Sequence, residues 1–505
     1  VDLNISGKID SLSIYKAYKK MIQVEREVRR AYPFEDVAGQ IIGNTDRDRE
    51  GIAGVELTYH HLLKGSMGFS VVRVDGHGRK YSRVDELHHP PVDGADIILT
   101  IDAASQAVAE EILEETVTRH EALGGMIIIM QPSTGEILAM ASNPAYDPND
   151  PGAYEVAAQK MRPVVNMYEP GSTYKLVAAA AALDSKAFSV NDVIQTQNGV
   201  MAVGRQVIED HEKFITLSFR QVIEHSSNVG TIKIAQTLGD HIIFKYSRAF
   251  GFGSPTGVGL PGEASGVLLN PMDWSATTLP TMAIGYGVSV TGLQLVNAYC
   301  AVANGGFLME PRIIKAIVMP DGAIRRNSPI SVRRVMSQQT AETLKDIFSG
   351  VVSQGTGKKA DVPGYKVAGK TGTAWKARED GPGYTRNYRA SFAGMFPAEN
   401  PEVVALIVID EPKTGGFYGG DVAAPAFREL MIRLINQPGG LIQTAPQDES
   451  AIPRYLVHLQ ETGESFDPDN ALYGLNINDA VSVSSRSANG VLPIQDLEYR
   501  GKVSD

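Results

Sequence analysis

The feature that most constrains this chain is a Pro-Gly pair followed by an apolar, alanine-rich run over residues 176–183. Leucine and alanine favour helices, whereas proline and glycine interrupt regular structure, so the sequence predicts a buried helix beginning near residue 171. Ser172 then lies at the helix N-terminus, and Lys175 follows on the same helical face. A buried lysine can lose its proton near neutral pH and activate a serine hydroxyl. The stretch therefore predicts a covalent nucleophile, Ser172, with Lys175 as its base.

Length and composition limit the function classes. A chain of 505 residues is too long for one core, so we expect two or three domains. The hydrophobic fraction of 43% and charged fraction of 21% indicate a folded protein. A net charge of -11, without a block of Lys or Arg, argues against nucleic-acid binding. Cys300 is the single cysteine and lies in an apolar helical segment, so we expect a core residue and no disulfide or thiolate metal site.

The order of strands and helices predicts an α+β protein in three parts. Residues 1–95 are polar, show no catalytic grouping and include a predicted hairpin around Asp75 and Gly76. Residues 96–440 have apolar strands at both ends of a mostly helical middle, which indicates one domain whose sheet is completed by distant segments. The predicted strands span residues 96–101, 125–131, 136–141, 367–375, 388–396 and 403–410. Helices are predicted over residues 102–115, with Asp102 as the N-cap, and over residues 424–435. Residues 441–505 carry no motif that indicates a function. This segment is either a small appended module or a loosely ordered end, and the sequence does not decide between the two.

Two further motifs supply candidate site residues. Ser226 and Asn228 lie where one helical segment meets another, which suits polar side chains at a cleft. Lys370 begins a Lys-Thr-Gly-Thr sequence inside the predicted strand 367–375. We expect both motifs to meet Ser172 at one site.

Each spacing also occurs a second time in the chain. Ser13 and Lys16 repeat the first pattern in a polar helix, and Ser487 and Asn489 repeat the second in the polar tail. Lys413 begins a second Lys-Thr-Gly, in a glycine-rich loop after a strand. Spacing alone is therefore weak evidence, and the surrounding sequence selects the first set.

Together these groups predict acyl transfer. Ser172 attacks a carbonyl carbon, Lys175 accepts the hydroxyl proton, and Ser226 relays a proton to a leaving amine. Lys370 supplies positive charge that helps to keep Lys175 neutral, and Asn228 orients the lysine and a substrate amide.

The strand of Lys370 supplies the predicted substrate-binding residues. The hydroxyls of Thr371 and Thr373 hold a substrate carboxylate or backbone, and Gly372 lets an extended ligand approach closely. Backbone N–H groups here and near Ser172 bind the oxyanion. Side chains alternate along a strand, so Thr371 and Thr373 lie on one face and Lys370 on the other. The twist of the strand or the length of the lysine side chain must therefore bring them together. No metal cluster or nucleotide loop is apparent, and we expect no cofactor.

The three motifs, in this order, are those shared by penicillin-binding proteins and serine β-lactamases. Their surroundings resemble a class B penicillin-binding protein, a monofunctional peptidoglycan D,D-transpeptidase, over residues 168–175, 226–230, 283–287 and 368–374. Residues 30–33 and 51–56 resemble the N-terminal pedestal of that class, so the likeness covers roughly residues 25 to 435. Within this class, residues 391–397, 410–413 and 418–427 resemble the division-specific, septal branch.

The resemblance implies a penicillin-binding transpeptidase fold, with a mainly antiparallel central sheet flanked by helices, a helical subdomain and an N-terminal pedestal. It implies that Ser172 is acylated by the terminal D-Ala-D-Ala of a stem peptide or by a β-lactam. It also implies a membrane glycosyltransferase and division proteins as partners, and a catalytic domain outside the plasma membrane. The class's membrane anchor is not visible before residue 25, and we expect it to be missing from this chain.

Two alternatives remain open at this stage. A D,D-carboxypeptidase or a β-lactamase would pass the acyl group to water. A class A β-lactamase is expected to have a further carboxylate for this step, and Glu224 and Glu263 are conceivable, although Glu263 lies in a predicted turn. A non-enzymatic sensor would be acylated and then signal.

Overall fold

The computed structural model describes residues 29–77, 80–378, 381, 383–437, 440–445 and 482–483, with the backbone alone for 80–87 and 482–483. The duplicate motifs at Ser13 and Ser487 lie outside the described residues. Within the described ranges, no helix has the length and apolar character needed to cross a membrane.

The N-terminal part consists of short helices and one hairpin. Its elements are α1 (Gly39–Ile42), α2 (Gly54–Thr58), α3 (His60–Leu63), β1 (Phe69–Val74) and β2 (Lys80–His89). The two strands pair antiparallel, so the predicted hairpin around Asp75 and Gly76 is confirmed.

The next segment introduces the central sheet. Its elements are β3 (Asp96–Leu99), α4 (Ala103–Arg119), β4 (Gly124–Met130) and β5 (Ile137–Asn143). The side chain of Asp102 accepts a hydrogen bond from the N–H of Ser105 at 2.8 Å, which is the predicted N-cap of α4. β4 and β5 are buried along their whole length, because helices cover both faces of the sheet. Both faces therefore require apolar side chains, which explains the continuous apolar run in place of alternation.

The middle of the chain is mainly helical. Its elements are α5 (Arg162–Val165), β6 (Met167–Tyr168), α6 (Lys175–Asp184), β7 (Val193–Gln195), β8 (Val200–Val203), β9 (Gln206–Glu209), β10 (Thr216–Ser218), α7 (Phe219–Glu224), α8 (Asn228–Leu238), α9 (Asp240–Ala249), α10 (Thr278–Ala283), β11 (Val290–Thr291) and α11 (Gly292–Ala303). The short strands β7 to β10 depart from the predicted helical middle. They are three or four residues long and mostly exposed, so they leave no clear apolar period in the sequence.

The C-terminal part completes the sheet. Its elements are β12 (Phe307–Met309), β13 (Ile314–Val318), β14 (Ile324–Arg326), β15 (Ser331–Arg334), α12 (Gln338–Ser353), β16 (Ala368–Ala377), β17 (Tyr384–Phe396), β18 (Val403–Asp410), α13 (Gly419–Asn436) and β19 (Ser482–Val483). The five-stranded sheet has the order β16-β17-β18-β4-β5, and all its pairings are antiparallel. A second sheet has the order β14-β13-β3-β19.

The five-stranded sheet is the middle layer of the molecule. Apolar residues of α6 and α11 pack in one core with alternate residues of β4 and β18, and those of α4 and α13 pack with the other set. Each fully buried Leu, Ile or Val side chain contributes about 1.5–3 kcal/mol, so these two cores hold the strands in register. The predicted α+β fold with an antiparallel central sheet is confirmed. β16 is left as an edge strand, and the turn before α6 lies against it.

Candidate active site

Ser172 lies in a single 3-10 turn, Gly171–Tyr174, which leads directly into α6. The α-helix itself thus begins at Lys175, slightly later than predicted. Gly171 has a φ of 55°, in the left-handed region that favours glycine, and its N–H donates to the carbonyl of Gly285 at 3.1 Å. A Cβ on Gly171 would lie 3.0 Å from the carbonyl oxygen of Thr373, so the glycine lets the turn pack closely against β16.

Lys175 is fully buried at the foot of this turn. Its Nζ donates to Oδ1 of Asn228 at 2.8 Å, to the hydroxyl of Ser226 at 3.1 Å, and to the carbonyl of Ser226. These bonds use all three donors of the ammonium form. Ser172 is half-buried, and its hydroxyl has no hydrogen-bond partner among the described residues. The structure therefore brings Lys175, Ser226 and Asn228 together, while the predicted contact from Lys175 to Ser172 is not a direct hydrogen bond.

Asp210 holds the second motif in place, and the sequence alone did not single it out. Its carboxylate accepts from the hydroxyl of Ser227 at 2.6 Å, from the N–H of Val229 at 2.9 Å, and from the N–H of Asn228. The negative charge thus lies at the N-terminus of α8, where the helix dipole favours it. Ser226 has a φ of 57°, an unusual backbone conformation for a residue other than glycine. The bonds to Asp210 fix the residues that follow this turn.

The two buried lysines have lowered pKa values. Burial lowers the pKa of Lys175 to about 7, and the charge of Asp210 opposes that shift. Burial also lowers the pKa of Lys370, and the neighbouring charge of Lys175 lowers it further. Because the two amines repel each other when both are charged, the site favours a neutral lysine close to neutral pH.

The face of β16 that points to the Ser172 turn carries Lys370 and Gly372. A Cβ on Gly372 would lie 2.3 Å from the hydroxyl oxygen of Ser391 and 2.9 Å from Cγ2 of Thr173. The space beside Gly372 on this face of the strand is therefore filled by protein, and the close approach of an extended ligand to this glycine stays a prediction. Glycine is needed here because the turn of Thr173 packs on the strand.

The opposite face of β16 carries the two threonines. The hydroxyl of Thr371 lies 2.6 Å from the hydroxyl of Thr356, and the side chain of Thr371 is buried. The hydroxyl of Thr373 accepts from the N–H of Gly419 at 3.0 Å, at the start of α13, and Thr373 is half-buried. Strand alternation thus keeps both side chains on the α13 side, and twist does not turn them towards Lys370.

The free edge of β16 has its backbone groups directed away from β17. The N–H of Trp375 donates to the hydroxyl of Tyr286 at 3.2 Å, beyond the edge of the sheet. Residues two apart on a strand direct their backbone groups to the same side, so the N–H of Thr373 also points off this edge. That N–H lies beside the turn of Ser172, where an oxyanion would need a donor.

An aromatic rim lies next to this edge and was not predicted. Tyr286, Trp375 and Tyr384 form it, with ring centroids 5.4 to 6.5 Å apart. Glu169 accepts from the N–H of Gly287 at 2.7 Å and from the hydroxyl of Tyr384 at 3.3 Å. The residue three positions before Ser172 therefore ties the nucleophile turn to the rim.

The other sequence candidates lie away from this arrangement. Lys413 is exposed in the turn after β18, and its N–H donates to the carbonyl of His120 at 2.8 Å. Its predicted loop position is confirmed. Oε1 of Glu224 lies 3.6 Å from Nη1 of Arg220, and both residues belong to α7. Glu263 accepts from the backbone N–H and hydroxyl of Thr256 in a turn, as its predicted structural role requires.

Two protein families match the sequence. The penicillin binding protein transpeptidase domain matches residues 125–432, and the penicillin-binding protein dimerisation domain matches residues 8–99. The first match alone spans more than half of the chain.

Individual relatives agree with these matches. The probable peptidoglycan D,D-transpeptidase PenA of Neisseria meningitidis is 35% identical over 433 residues, which are 85% of this chain and 72% of PenA. Stage V sporulation protein D of Bacillus subtilis is 34% identical over 417 residues, covering 82% of this chain and 64% of that protein. The crystal structure of penicillin binding protein 3 from Mycobacterium tuberculosis, complexed with aztreonam, has a TM-score of 0.71 and 32% identity, covering 83% of this chain and 95% of that one. The chain belongs to the class B penicillin-binding proteins.

Proposed function

We propose that the chain is a peptidoglycan D,D-transpeptidase that forms an acyl-enzyme on Ser172 and is acylated there by β-lactams. One observation carries this assignment: a fully buried lysine with a pKa of about 7 connects the turn of Ser172 to Ser226 and Asn228 beside a free strand edge. A base, a proton relay and an oxyanion donor therefore lie around the turn that carries Ser172.

In the acylation step, neutral Lys175 accepts the proton of the Ser172 hydroxyl. Oγ of Ser172 then bonds to the carbonyl carbon of the penultimate D-Ala. The N–H of Thr373 donates to the oxyanion that forms. The hydroxyl of Ser226, 3.1 Å from Nζ of Lys175, passes a proton to the nitrogen of the terminal D-Ala. The C–N bond then breaks, D-Ala leaves, and an ester remains on Ser172.

In the second step, an amine of a neighbouring stem peptide attacks the carbonyl carbon of the ester. The proton of that amine passes to Lys175, and the ester C–O bond breaks as Ser172 regains a proton. The new amide is the cross-link. The amide bond formed in the second step replaces the amide bond broken in the first. The reaction therefore needs no external source of energy such as a nucleotide cofactor.

Lys370, Asn228 and the residues of β16 have supporting roles. Lys370 is buried beside Lys175, where repulsion between the two amines favours the neutral form of the base, and Asn228 orients Lys175 through its Oδ1. Thr371, Gly372 and Thr373 contribute the strand that aligns the donor peptide. Since both threonine hydroxyls have partners on the α13 side, we assign the substrate contacts of Thr373 to its backbone.

The contacts of Glu224 and Glu263 argue against a β-lactamase that hydrolyses the ester with the help of a carboxylate. Glu224 faces Arg220 and Gly350, and Glu263 closes the turn at Thr256, so each carboxylate already has a structural partner. A β-lactamase of the type considered above would need such a carboxylate at the ester.

We also propose the biological setting from the septal resemblance. The catalytic part acts outside the plasma membrane during cell division, beside a membrane glycosyltransferase. Residues 1–95 serve as a pedestal, residues 96–440 as the transpeptidase, and the role of residues 441–505 is left unassigned.

A peptide assay tests the proposed reaction. The full chain is incubated with a stem pentapeptide ending in D-Ala-D-Ala, with and without an acceptor stem peptide, and the products are separated by mass. We expect D-Ala release and a cross-linked product that depends on the acceptor. Release at the same rate without an acceptor would identify a carboxypeptidase, and a penicillin adduct without any D-Ala release would identify a sensor.

A further inference from the structure

A cavity of about 410 Å³ lies against β16, β17, β18 and the start of β4. Three cations line it: Arg162 of α5, Lys376 of β16 and Arg389 of β17. Asp410 is the one acidic residue among the described residues that line it. The cavity therefore carries a positive charge that its own lining does not balance.

Most of these charges already have partners. Asp410 lies 3.3 Å from Nζ of Lys376 and 3.1 Å from Nε of Arg389. Lys376 also pairs with Glu411 at 2.5 Å, and the guanidinium of Arg389 lies 5.3 Å from the ring centre of Tyr168. The carboxylate of Asp410 is thus shared by two cations, and it gives no ion pair to Arg162 within 4 Å.

Arg162 lacks such a direct partner, and the charge of Asp410 acts on it only at longer range. Within the part of the chain that the structure describes, its guanidinium has no hydrogen bond and no ion pair, and its Nε is buried. The hydroxyl of Tyr168, on the wall of the same cavity, is also buried without a partner among the described residues. Buried donors are nearly always satisfied, because a buried donor without an acceptor has lost its hydrogen bonds to water and gained none in return. Two donors of one cavity therefore lack an acceptor.

The position of the cavity relates it to the nucleophile. Gly372, Ala374 and Lys376 share one face of β16, and the first two meet the turn of Ser172 at Thr173 and Gly171. Lys376 follows Ala374 by two residues, or roughly 7 Å along the strand. The cavity thus begins one strand repeat beyond the turn, with Tyr168, four residues before Ser172, in its wall.

We propose that this cavity binds a free carboxylate of the acceptor stem peptide, held by Arg162 and by the hydroxyl of Tyr168. The inference rests on the proposed transpeptidase function and names a site for its second substrate. An arginine fork and a carboxylate form two parallel, charge-assisted hydrogen bonds, which would satisfy Arg162. We assign the cavity to the acceptor peptide and not to the donor peptide. The donor follows the free edge of β16, and the hydroxyl of Tyr286 already occupies that edge at Trp375, before the strand reaches the cavity. The cavity lies on the face of the sheet and not at its edge. An acceptor peptide bound there therefore approaches the ester on Ser172 from a different side than the donor peptide does.

The test measures how the acyl-enzyme divides between aminolysis and hydrolysis. The full chain is acylated with a thioester donor analogue and offered either a synthetic stem tripeptide with free carboxylates or the same tripeptide with those carboxylates amidated. A charge-assisted hydrogen bond contributes about 1.5–3 kcal/mol, so we expect roughly a tenfold or greater preference for the free acid. Equal use of the two acceptors by the unchanged protein would overturn the proposal without any variant.

Substitution then assigns the preference to the cavity. Arg162→Gln should bring the preference close to one, Arg162→Lys should restore part of it, and Tyr168→Phe should reduce it less than Arg162→Gln does. Arg220→Gln is the matched control, since Arg220 is a partly exposed arginine that pairs with Asp346 on α12. A full preference in Arg162→Gln would contradict the proposal.

Two further readouts separate this inference from the function on which it rests. The rate of acylation by a labelled penicillin should stay within about twofold of the unchanged protein in Arg162→Gln, which also shows that the variant is folded. Binding of the fluorescently labelled tripeptide to penicillin-blocked protein should weaken about tenfold in the same variant, and unaltered binding would contradict the site. Absence of any adduct or thioester turnover in the unchanged protein would instead contradict the proposed function.

Discussion

Nζ of Lys175 donates to Oδ1 of Asn228 over 2.8 Å, and this bond joins the first residue of α6 to the first residue of α8. The base and the second motif are therefore one unit. Asp210 extends that unit, because it fixes the residues on both sides of the Asn228 backbone through Ser227 and Val229. The chemistry of Ser172 consequently depends on the placement of α8 as well as on its own turn.

The rate of acylation should rise with pH around the pKa of Lys175. Lys175 accepts a proton only when neutral, and burial lowers its pKa to about 7. The neutral fraction thus falls about tenfold for each pH unit below that value. Stopped-flow measurement of penicillin acylation from pH 5 to pH 9 should show this acid limb, and a flat profile between pH 5 and pH 7 would exclude Lys175 as the base.

Asp210→Asn should both slow acylation and move the acid limb to lower pH. The charge of Asp210 raises the pKa of Lys175, so its removal lowers that pKa. An amide also replaces one acceptor oxygen with a donor, which weakens the bonds to Ser227 and Val229 and should reduce the plateau rate about tenfold. Asp346→Asn, at an exposed ion pair, is the control. A slower rate with an unshifted limb would mean that Asp210 supports the fold alone.

Lys370→Ala should abolish acylation, whereas Lys413→Ala should leave it nearly intact. Lys370 is buried beside Lys175, and Lys413 is exposed in the turn after β18. The second-order rate constant for a labelled penicillin measures both variants. The opposite pattern would assign the site to the second Lys-Thr-Gly.

Gly372→Ala should displace the nucleophile turn. The added methyl group would lie 2.3 Å from the hydroxyl oxygen of Ser391 and 2.9 Å from Cγ2 of Thr173. Overpacking of this kind costs about 1–3 kcal/mol, so we expect a lower Tm and a strongly reduced acylation rate. Gly381→Ala is the matched control, because its Cβ would have no heavy atom of the described residues within 4 Å. Unchanged acylation in Gly372→Ala would show that the turn does not depend on this contact.

The parts of the fold that sequence could predict are those with local causes. The apolar run after Lys175 and the cap at Asp102 specify their helices through neighbouring residues, and the continuous apolar strands specify a sheet covered on both faces. α13 begins at Gly419, five residues before its predicted start at Ala424. Its glycines suggest a loop, but a Cβ on Gly419 would lie 2.3 Å from the carbonyls of Gly372 and Ser391, so close packing on the sheet requires them.

The site was predictable where a motif carries its own spacing. Lys175, Ser226, Asn228 and Lys370 meet as predicted. Asp210 was missed because it lies 17 residues before Ser227, with β10 and α7 between them, and no fixed interval marks the contact. Arg162 was missed for a similar reason, since its cavity is completed by residues more than 200 positions away. Such contacts depend on the tertiary fold, which local sequence patterns do not encode.

The most direct test of the account is the location of the penicillin adduct. The full chain is treated with a labelled penicillin, its intact mass is followed over time, and the modified peptide is sequenced by tandem mass spectrometry. The account predicts one stable adduct per chain on Ser172 and none in Ser172→Ala. An adduct that persists in Ser172→Ala, or that maps to another residue of the unchanged protein, would contradict it.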